Sequence, residues 1–204
     1  MTGCVMKRNI NWATPLYEFL RQCNLTTLPK VVLDCGAGGK TPPLSIFYDF
    51  DYKCHGVEID DDALQEALEY CQKSHSHLNI IKADMRELPF PDEMFSFAYS
   101  YNAIFFISKA DIKETIKEIF RVLKPGGLFF VNLATVDDPN CQPFNEKASK
   151  LYKNIQFSQF EDDEADSYFT GFKILRKEKR WIKKIVNEEE VKQVYVEYML
   201  QKNR

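Results

Sequence analysis

As far as Thr135, short runs rich in β-branched and aromatic residues alternate with longer stretches of helical periodicity, and this alternation restricts the fold more than any other feature. Trp12, Leu16, Phe19, Leu20 and Cys23 fall on one helical face, with Thr14-Pro15 read as its cap and first turn. The strand-like run KVVLDC then ends in clustered glycines, and CHGVEID is a second run. Asp60, Asp61 and Asp62 open a helix expected over Asp61–Gln72, where carboxylates satisfy free N–H groups and complement the helix dipole. LNIIKAD and MFSFAYSYN are the third and fourth strand-like runs. A helix from about Asp111 to Leu123 carries Ile112, Ile116, Ile119, Phe120 and Leu123 on one side; Lys124-Pro125-Gly126-Gly127 stops it, and LFFVNLAT follows as a fifth run. Strand, helix and strand repeated in this way predict a parallel sheet with helices on both faces.

Beyond Thr135 the character changes. Residues 136–160 are polar and irregular, EDDEADSYF reads as a short acidic helix, and Gly171–Lys184 and Val191–Leu200 are long strand-like runs separated by the turn-like Asn187-Glu188-Glu189-Glu190. A closing hairpin makes this an α/β chain with a seven-stranded, mostly parallel sheet. Its 204 residues, without repeat or long linker, suit a single domain. Hydrophobic and charged contents of 45% and 28% support a core that needs no disulfide or metal. A formal charge of -3 argues against nucleic-acid binding through bulk positive charge. No apolar run reaches the roughly 18 residues of a membrane span. The start, MTGCVMKRNINW, lacks the apolar core of a secretory signal, and Gly3 stands one place too late for myristoylation. Cys4, Cys23, Cys35, Cys54, Cys71 and Cys141 form no C-x-x-C pair, so they are expected to be free thiols in a reducing compartment, with the cytoplasm as the default.

Two motifs carry the chemistry. In Val32-Leu33-Asp34-Cys35-Gly36-Ala37-Gly38-Gly39 a buried strand ends in glycines, which let the backbone approach a ligand closely. In an open α/β sheet such a loop lies at the crevice where nucleotide-like ligands bind. Glu58, roughly 20 residues further on at the end of the next strand, can accept from both hydroxyls of a ribose. A dinucleotide would want a third glycine at position 41, where the chain has Thr41 followed by Pro42-Pro43, and prolines remove the N–H donors a pyrophosphate needs. S-adenosylmethionine carries no phosphate and escapes that objection. A glycine turn that binds nothing is the third reading.

Together with Gly56-Val57-Glu58-Ile59-Asp60, Lys82-Ala83-Asp84-Met85-Arg86-Glu87-Leu88-Pro89-Phe90 and Glu118-Ile119-Phe120-Arg121-Val122-Leu123-Lys124-Pro125-Gly126-Gly127, the glycine motif resembles the class I S-adenosylmethionine-dependent methyltransferases. The similarity is strongest to the small-molecule group that includes the quinone-biosynthesis methyltransferases. It covers roughly residues 30–135, and the trailing hairpin GFKILRKEKRWI with the final strand also resembles the family's closing element. The resemblance implies a Rossmann-like class I methyltransferase fold and S-adenosylmethionine as cofactor. It implies that Asp34 and the backbone of Gly36, Ala37 and Gly38 hold the methionine portion, Asp34 near the ammonium. It further implies that Glu58 takes the ribose hydroxyls, Ile59 lies along the adenine, Asp84 accepts from the adenine amino group and Met85 packs on the ring. The stretch from Tyr99 through Ser100 and Tyr101 to Asn102 would face the methionine and the transferred methyl. Ser96 stands where the family often has an acid, and Thr41-Pro42-Pro43 is unusual and should delay the next helix.

The expected organisation is residues 1–28 as a helical lid, 30–135 as the cofactor core, 136–170 as an insert over the acceptor and 171–204 as the closing hairpin, since segments over a crevice usually carry specificity. Methyl transfer is an in-line displacement that chiefly needs alignment and desolvation, and aromatic faces suit a sulfonium. Tyr17, Tyr101, Asn102 and Phe105, with Phe106, are the acceptor-side candidates; no catalytic base is assigned. The chain reads Ser100-Tyr101-Asn102-Ala103 where an Asn/Asp-Pro-Pro-Tyr motif would mark base-amine or glutamine methylation. His55 sits within a strand, and His75 and His77, in a polar connection, are not taken as metal ligands, so no metal site is expected. The basic stretch Lys173, Arg176, Lys177, Lys179, Arg180, Lys183 and Lys184 invites an RNA reading, but Phe172, Ile174, Trp181, Ile182 and Ile185 interleave, as in a charged edge hairpin. The expected function is methyl transfer to a small molecule by a monomer or homodimer. The alternatives are a protein or RNA methyltransferase and a cofactor-binding protein without catalysis.

Overall fold

A computed structural model describes residues 10–139, 158–186 and 189–203. Five strands run parallel: β1 (Val31–Cys35), β2 (Lys53–Glu58), β3 (Ile80–Lys82), β4 (Phe95–Ser100) and β5 (Leu123–Thr135). The two-residue β6 (Gln159–Phe160) lies parallel to the end of β5, while β7 (Phe172–Val186) and β8 (Glu189–Lys202) form the antiparallel hairpin. The order is β3-β2-β1-β4-β5-β8-β7, with β6 off that path. This is the expected seven-strand arrangement with one short strand added, a Rossmann-like layout.

Period-two alternation along the central strands assigns the two faces. Val32, Phe97, Phe130 and Met199 point to one, where Leu16, Phe19, Leu20 and Cys23 of α1 (Ile10–Asn24) and Leu44 and Phe47 of α2 (Leu44–Tyr48) cover them. Ala67 and Tyr70 of α3 (Asp61–Ser74) join the same core. Leu33, Ala98, Phe129 and Val131 point to the other face, under Ile112, Ile116 and Ile119 of α4 (Lys109–Val122). Each fully buried Leu, Ile or Phe is worth about 1.5–3 kcal/mol relative to exposure, so these layers hold the sheet.

Several local expectations shift. Pro15 lies inside α1 and is buried, so the helix begins before Thr14; the side chain of Trp12 falls outside the described residues. The helix after the glycine loop does start late, at Leu44, directly behind Pro42-Pro43. Helix α4 ends at Val122, and Lys124-Pro125-Gly126-Gly127 forms an irregular entry to β5, where the register with β4 shifts between Phe95 and Phe97. The acidic segment makes a 3-10 turn at Glu164–Tyr168. Glu189 and Glu190 belong to β8 and not to the turn; residues 187–188 lie outside the described residues, as does 140–157 of the expected acceptor insert. Cys23, Cys35, Cys54 and Cys71 are free thiols, and Cys4 and Cys141 lie outside the described residues. His75 takes the left-handed position that ends α3, at φ 54°.

The edge strand β7 keeps its basic residues occupied. Lys177 pairs with Asp163 and Asp166 at 2.6 and 2.7 Å, and Lys179 pairs with Asp137 and Asp162. The acidic segment before the hairpin therefore pairs with Lys177 and Lys179.

Candidate active site

The strand order reverses between β1 and β4, one half of the sheet running outward through β2 and β3 and the other through β5. In open α/β sheets such a switch point, at the carboxyl ends of the strands, is where ligands bind. Gly36, the first residue past β1, has φ 103°, a conformation L side chains resist. A Cβ on it would lie 2.2 Å from the Cβ of Ala103 in the loop after β4. Gly38 is just as constrained: a Cβ there would stand 2.6 Å from Glu58 Oε2, the atom to which the Gly38 N–H donates at 3.0 Å.

Glu58 Oε1 accepts from the N–H groups of Ile59 (2.9 Å) and Asp60 (3.0 Å). One carboxylate thus pins the glycine loop to the start of α3, whose N-cap Asp60 accepts from the Ala63 N–H at 2.8 Å. A carboxylate has about four lone-pair directions, so Glu58 Oε2 keeps capacity for a ligand hydroxyl. Ile59 beside it is 54% exposed, an apolar surface left open at the rim.

Asp34 lies beneath the loop. It is 1% exposed and accepts from Tyr99 Oη at 2.8 Å. Burial pushes its carboxyl up to about 8; the Tyr99 hydrogen bond opposes this shift and the Glu58 charge adds to it. A buried acid held by a neutral phenol is poorly compensated until a cation reaches it. Tyr99 is itself fully buried and stacks on Phe47 with centroids 5.2 Å apart, so it supports Asp34 from below and is not part of the loop.

Past β3, both oxygens of Asp84 are engaged by Arg86. Nε lies 3.0 Å from each, Nη2 lies 2.6 Å from Oδ2, and the Arg86 N–H donates to Oδ1 at 2.8 Å. Those hydrogen bonds hold the Asp84 carboxyl below its ordinary range. The Met85 side chain reaches toward Gly36, its Cε 3.9 Å from where a Cβ would stand.

At the end of β4, Ser100 Oγ donates to the Cys35 carbonyl at 2.7 Å and ties the two crevice strands together. The ring of Tyr101 tilts against Phe130 at 6.2 Å, and burial raises its phenol to about 12. Asn102 adopts φ 57° and is gripped twice by the fully buried Asn132 of β5: its N–H donates to Asn132 Oδ1 and its Oδ1 accepts from Asn132 Nδ2, both at 2.7 Å. Asn132 is the cross-strand neighbour of Glu197 on β8, which is 2% exposed. Arg180 of β7 donates from Nη2 to Glu197 Oε2 at 3.0 Å, while its Nε stands 2.9 Å from Oε1 at too bent an angle to bond. Burial raises the Glu197 carboxyl in spite of that partner.

The crevice therefore gathers Asp34, Gly36, Ala37, Gly38, Glu58, Ile59, Met85, Ser100 and Asn102 around one rim, with Asp84 on the next loop. Tyr17 and Tyr101 border the α1 core, whereas Phe105 is committed to Tyr195, with rings 5.7 Å apart, and to Ala134. Ser96, where an acid was the expected family residue, is buried in β4 with an Oγ that has no hydrogen-bond partner. Sequence reasoning passed over Asn132, Glu197, Arg180 and Arg86. The available signal was a polar residue interrupting an apolar run, Asn132 in LFFVNLAT and Glu197 in VYVEYML.

A glycine loop with a buried acid under it, a second acid at the end of β2 and a third after β3 have the chemistry that fits S-adenosylmethionine. Residues 33–131 match the family model described as a methyltransferase domain, and the chain belongs to the class I S-adenosylmethionine-dependent methyltransferases. A sterol 24-C-methyltransferase of Pneumocystis carinii is 30% identical over 159 residues, covering 73% of this chain and 41% of the relative. The chain thus spans less than half the length of the curated relatives it matches. Among solved structures, an S-adenosylmethionine-dependent methyltransferase from Methanosarcina mazei is 19% identical with a TM-score of 0.67, covering 92% of this chain and 98% of that one. The [4+2]-cyclase SpnF shares the fold at 15% identity and a TM-score of 0.66, covering 94% and 81%. Among the described residues, no helix is long and apolar enough to cross a membrane.

Proposed function

We propose that this chain catalyses methyl transfer from S-adenosylmethionine to a small, largely apolar acceptor of sterol-like character. The observation that carries the reading is Asp34: a buried acid held by the Tyr99 phenol, with no cation against it among the described residues, set under a glycine loop at the strand-order switch. S-adenosylmethionine supplies an electrophilic methyl on a sulfonium together with an ammonium that suits this acid. Asp34 and the backbone of Gly36, Ala37 and Gly38 hold the methionine end. Glu58 accepts from the ribose, Ile59 and Met85 border the adenine, and Asp84 faces its amino group. Ser100 and Asn102 line the methyl edge, and Tyr17 and Tyr101 belong to the acceptor side. The sterol character is supported by the names of the relatives. A cytoplasmic monomer or homodimer agrees with the free thiols.

The test has two stages. Thermal unfolding with S-adenosylmethionine, S-adenosylhomocysteine or NAD reads the cofactor. Ligand at about 100 times its Kd adds roughly 2.7 kcal/mol, a midpoint rise of about 5–11 °C for a domain of this size. A rise with the two adenosyl ligands alone is expected, and a rise with NAD alone overturns the reading. Release of S-adenosylhomocysteine on adding a sterol with a side-chain double bond then reads the acceptor. Cofactor binding without turnover on any small molecule leaves a binding protein or a macromolecular methyltransferase.

A further inference from the structure

We propose that Arg86 is the positioning residue that orients Asp84 toward the 6-amino group of the adenine and makes the site select adenine over a 6-oxo purine, an inference that rests on the cofactor reading above. Arg86 meets Asp84 with its backbone N–H on Oδ1, Nη2 on Oδ2 and Nε spanning both oxygens. Counting the spanning Nε once, three donors use three of about four lone-pair directions. One acceptor direction remains, and it suits a single N–H donor. A 6-oxo group would bring a lone pair against the same oxygen and be rejected, because a site built to accept a hydrogen bond is left uncompensated by a ligand that cannot donate one.

The arrangement is braced from outside the crevice. Arg86 Nη1 donates to Asp111 Oδ1 at 3.2 Å, and Asp111 Oδ2 accepts from Ser108 Oγ at 2.8 Å. Ser108 is the N-cap of α4, where its Oγ accepts from the Asp111 N–H at 3.1 Å. Asp84 therefore cannot rotate without disturbing a chain of contacts that ends on a helix. The Asp84 and Arg86 side chains are 30% and 43% exposed, a setting in which ion pairs add little stability, so orientation is the better account of so complete a pairing. The same bonds hold the Asp84 carboxyl low, so it stays an acceptor at neutral pH.

Calorimetric titration of the intact protein with S-adenosylhomocysteine and with S-inosylhomocysteine, which differs only in a 6-oxo group, tests the assignment. Wild type should prefer the adenosyl ligand by tenfold or more. Arg86→Ala should weaken the adenosyl ligand about tenfold and leave the inosyl ligand unchanged, collapsing the preference; Arg86→Lys should restore part of it. Retained inosyl binding shows that the variant is folded. Equal loss of both ligands, no change, or tighter adenosyl binding in Arg86→Ala overturns the role of Arg86 while the cofactor reading stands. Wild type binding neither ligand overturns both.

Discussion

Around the glycine loop, polar demand is met by main chain and by residues close in sequence: Glu58 holds the N–H groups of Gly38, Ile59 and Asp60. Across the crevice it is met by side chains from distant strands: Asn102 leans on Asn132, whose neighbour Glu197 leans on Arg180. The first region tolerates almost no change of shape, because a Cβ has nowhere to go. The second tolerates shape but depends on charge and amide pairing in a dry setting. A common cofactor asks for the first kind of construction, and a particular acceptor asks for the second.

Breaking the first region should give the largest effect. Gly36→Val forces a branched side chain into a left-handed φ of 103° and onto Ala103, so S-adenosylhomocysteine should no longer raise the unfolding midpoint, and stability should fall by about 2–4 kcal/mol in urea. An unchanged midpoint shift would show that the loop can move aside. Glu58→Ala leaves the backbone path intact but removes the carboxylate; calorimetry should find cofactor affinity weaker by roughly 1.5–3 kcal/mol. Equal affinity in the variant would remove Glu58 from the ribose.

Asp34 adds a pH test. Its folded pKa lies above the unfolded value, so between about 4 and about 8 the folded chain binds more protons than the unfolded one. Ionising Asp34 therefore opposes folding, and its contribution to stability is lost as pH rises through that window. An incoming ammonium favours the ionised form, so affinity for S-adenosylhomocysteine should rise over the same window and binding at pH 7 should release protons. Titration in two buffers of different ionisation enthalpy measures that release, and Asp34→Asn should abolish it. Proton release unchanged in Asp34→Asn would assign the titration to another group.

The smallest effect on the cofactor should come from the far side. Replacing Glu197 and Arg180 together by methionine should leave cofactor affinity unchanged and be neutral or stabilising in urea, since buried ion pairs seldom outperform apolar packing. Glu197→Gln alone should destabilise, as it leaves Arg180 partly uncompensated. A double variant that loses several kcal/mol would make the pair a structural clamp and erase the contrast between the two regions.

Local signals made the turns at the strand ends legible. Asp34, Gly36, Gly38, Glu58 and Asp84 each sit at the end of a strand or in the turn after it, and a turn's chemistry is written in consecutive residues. The late start of α2 followed from Pro42-Pro43 for the same reason. Pro15 was misread because a proline at the start of a helix looks alike from sequence whether the helix begins there or several residues earlier, and here its ring is buried within α1. The basic stretch of β7 was read as a charged edge hairpin, and the pairing of Lys177 and Lys179 with the acidic segment before it became visible only in the fold. The sequence assigned Arg86 no role, because its grip on Asp111 depends on where α4 begins.

By itself the sequence determined the alternation of strands and helices, the parallel sheet, the glycine loop and the acids at its rim, all of which depend on hydrophobic period, turn chemistry and neighbours along the chain. The tertiary structure decided that Tyr99 would hold Asp34, that Asn132 would grip Asn102, and that Glu197 and Arg180 would stand behind them. Those contacts join residues 30 to 65 positions apart for the first two pairs, and no local pattern encodes them. They exist because β1, β4, β5, β8 and β7 lie side by side, and that order is set by the packing of whole faces against α1 and α4.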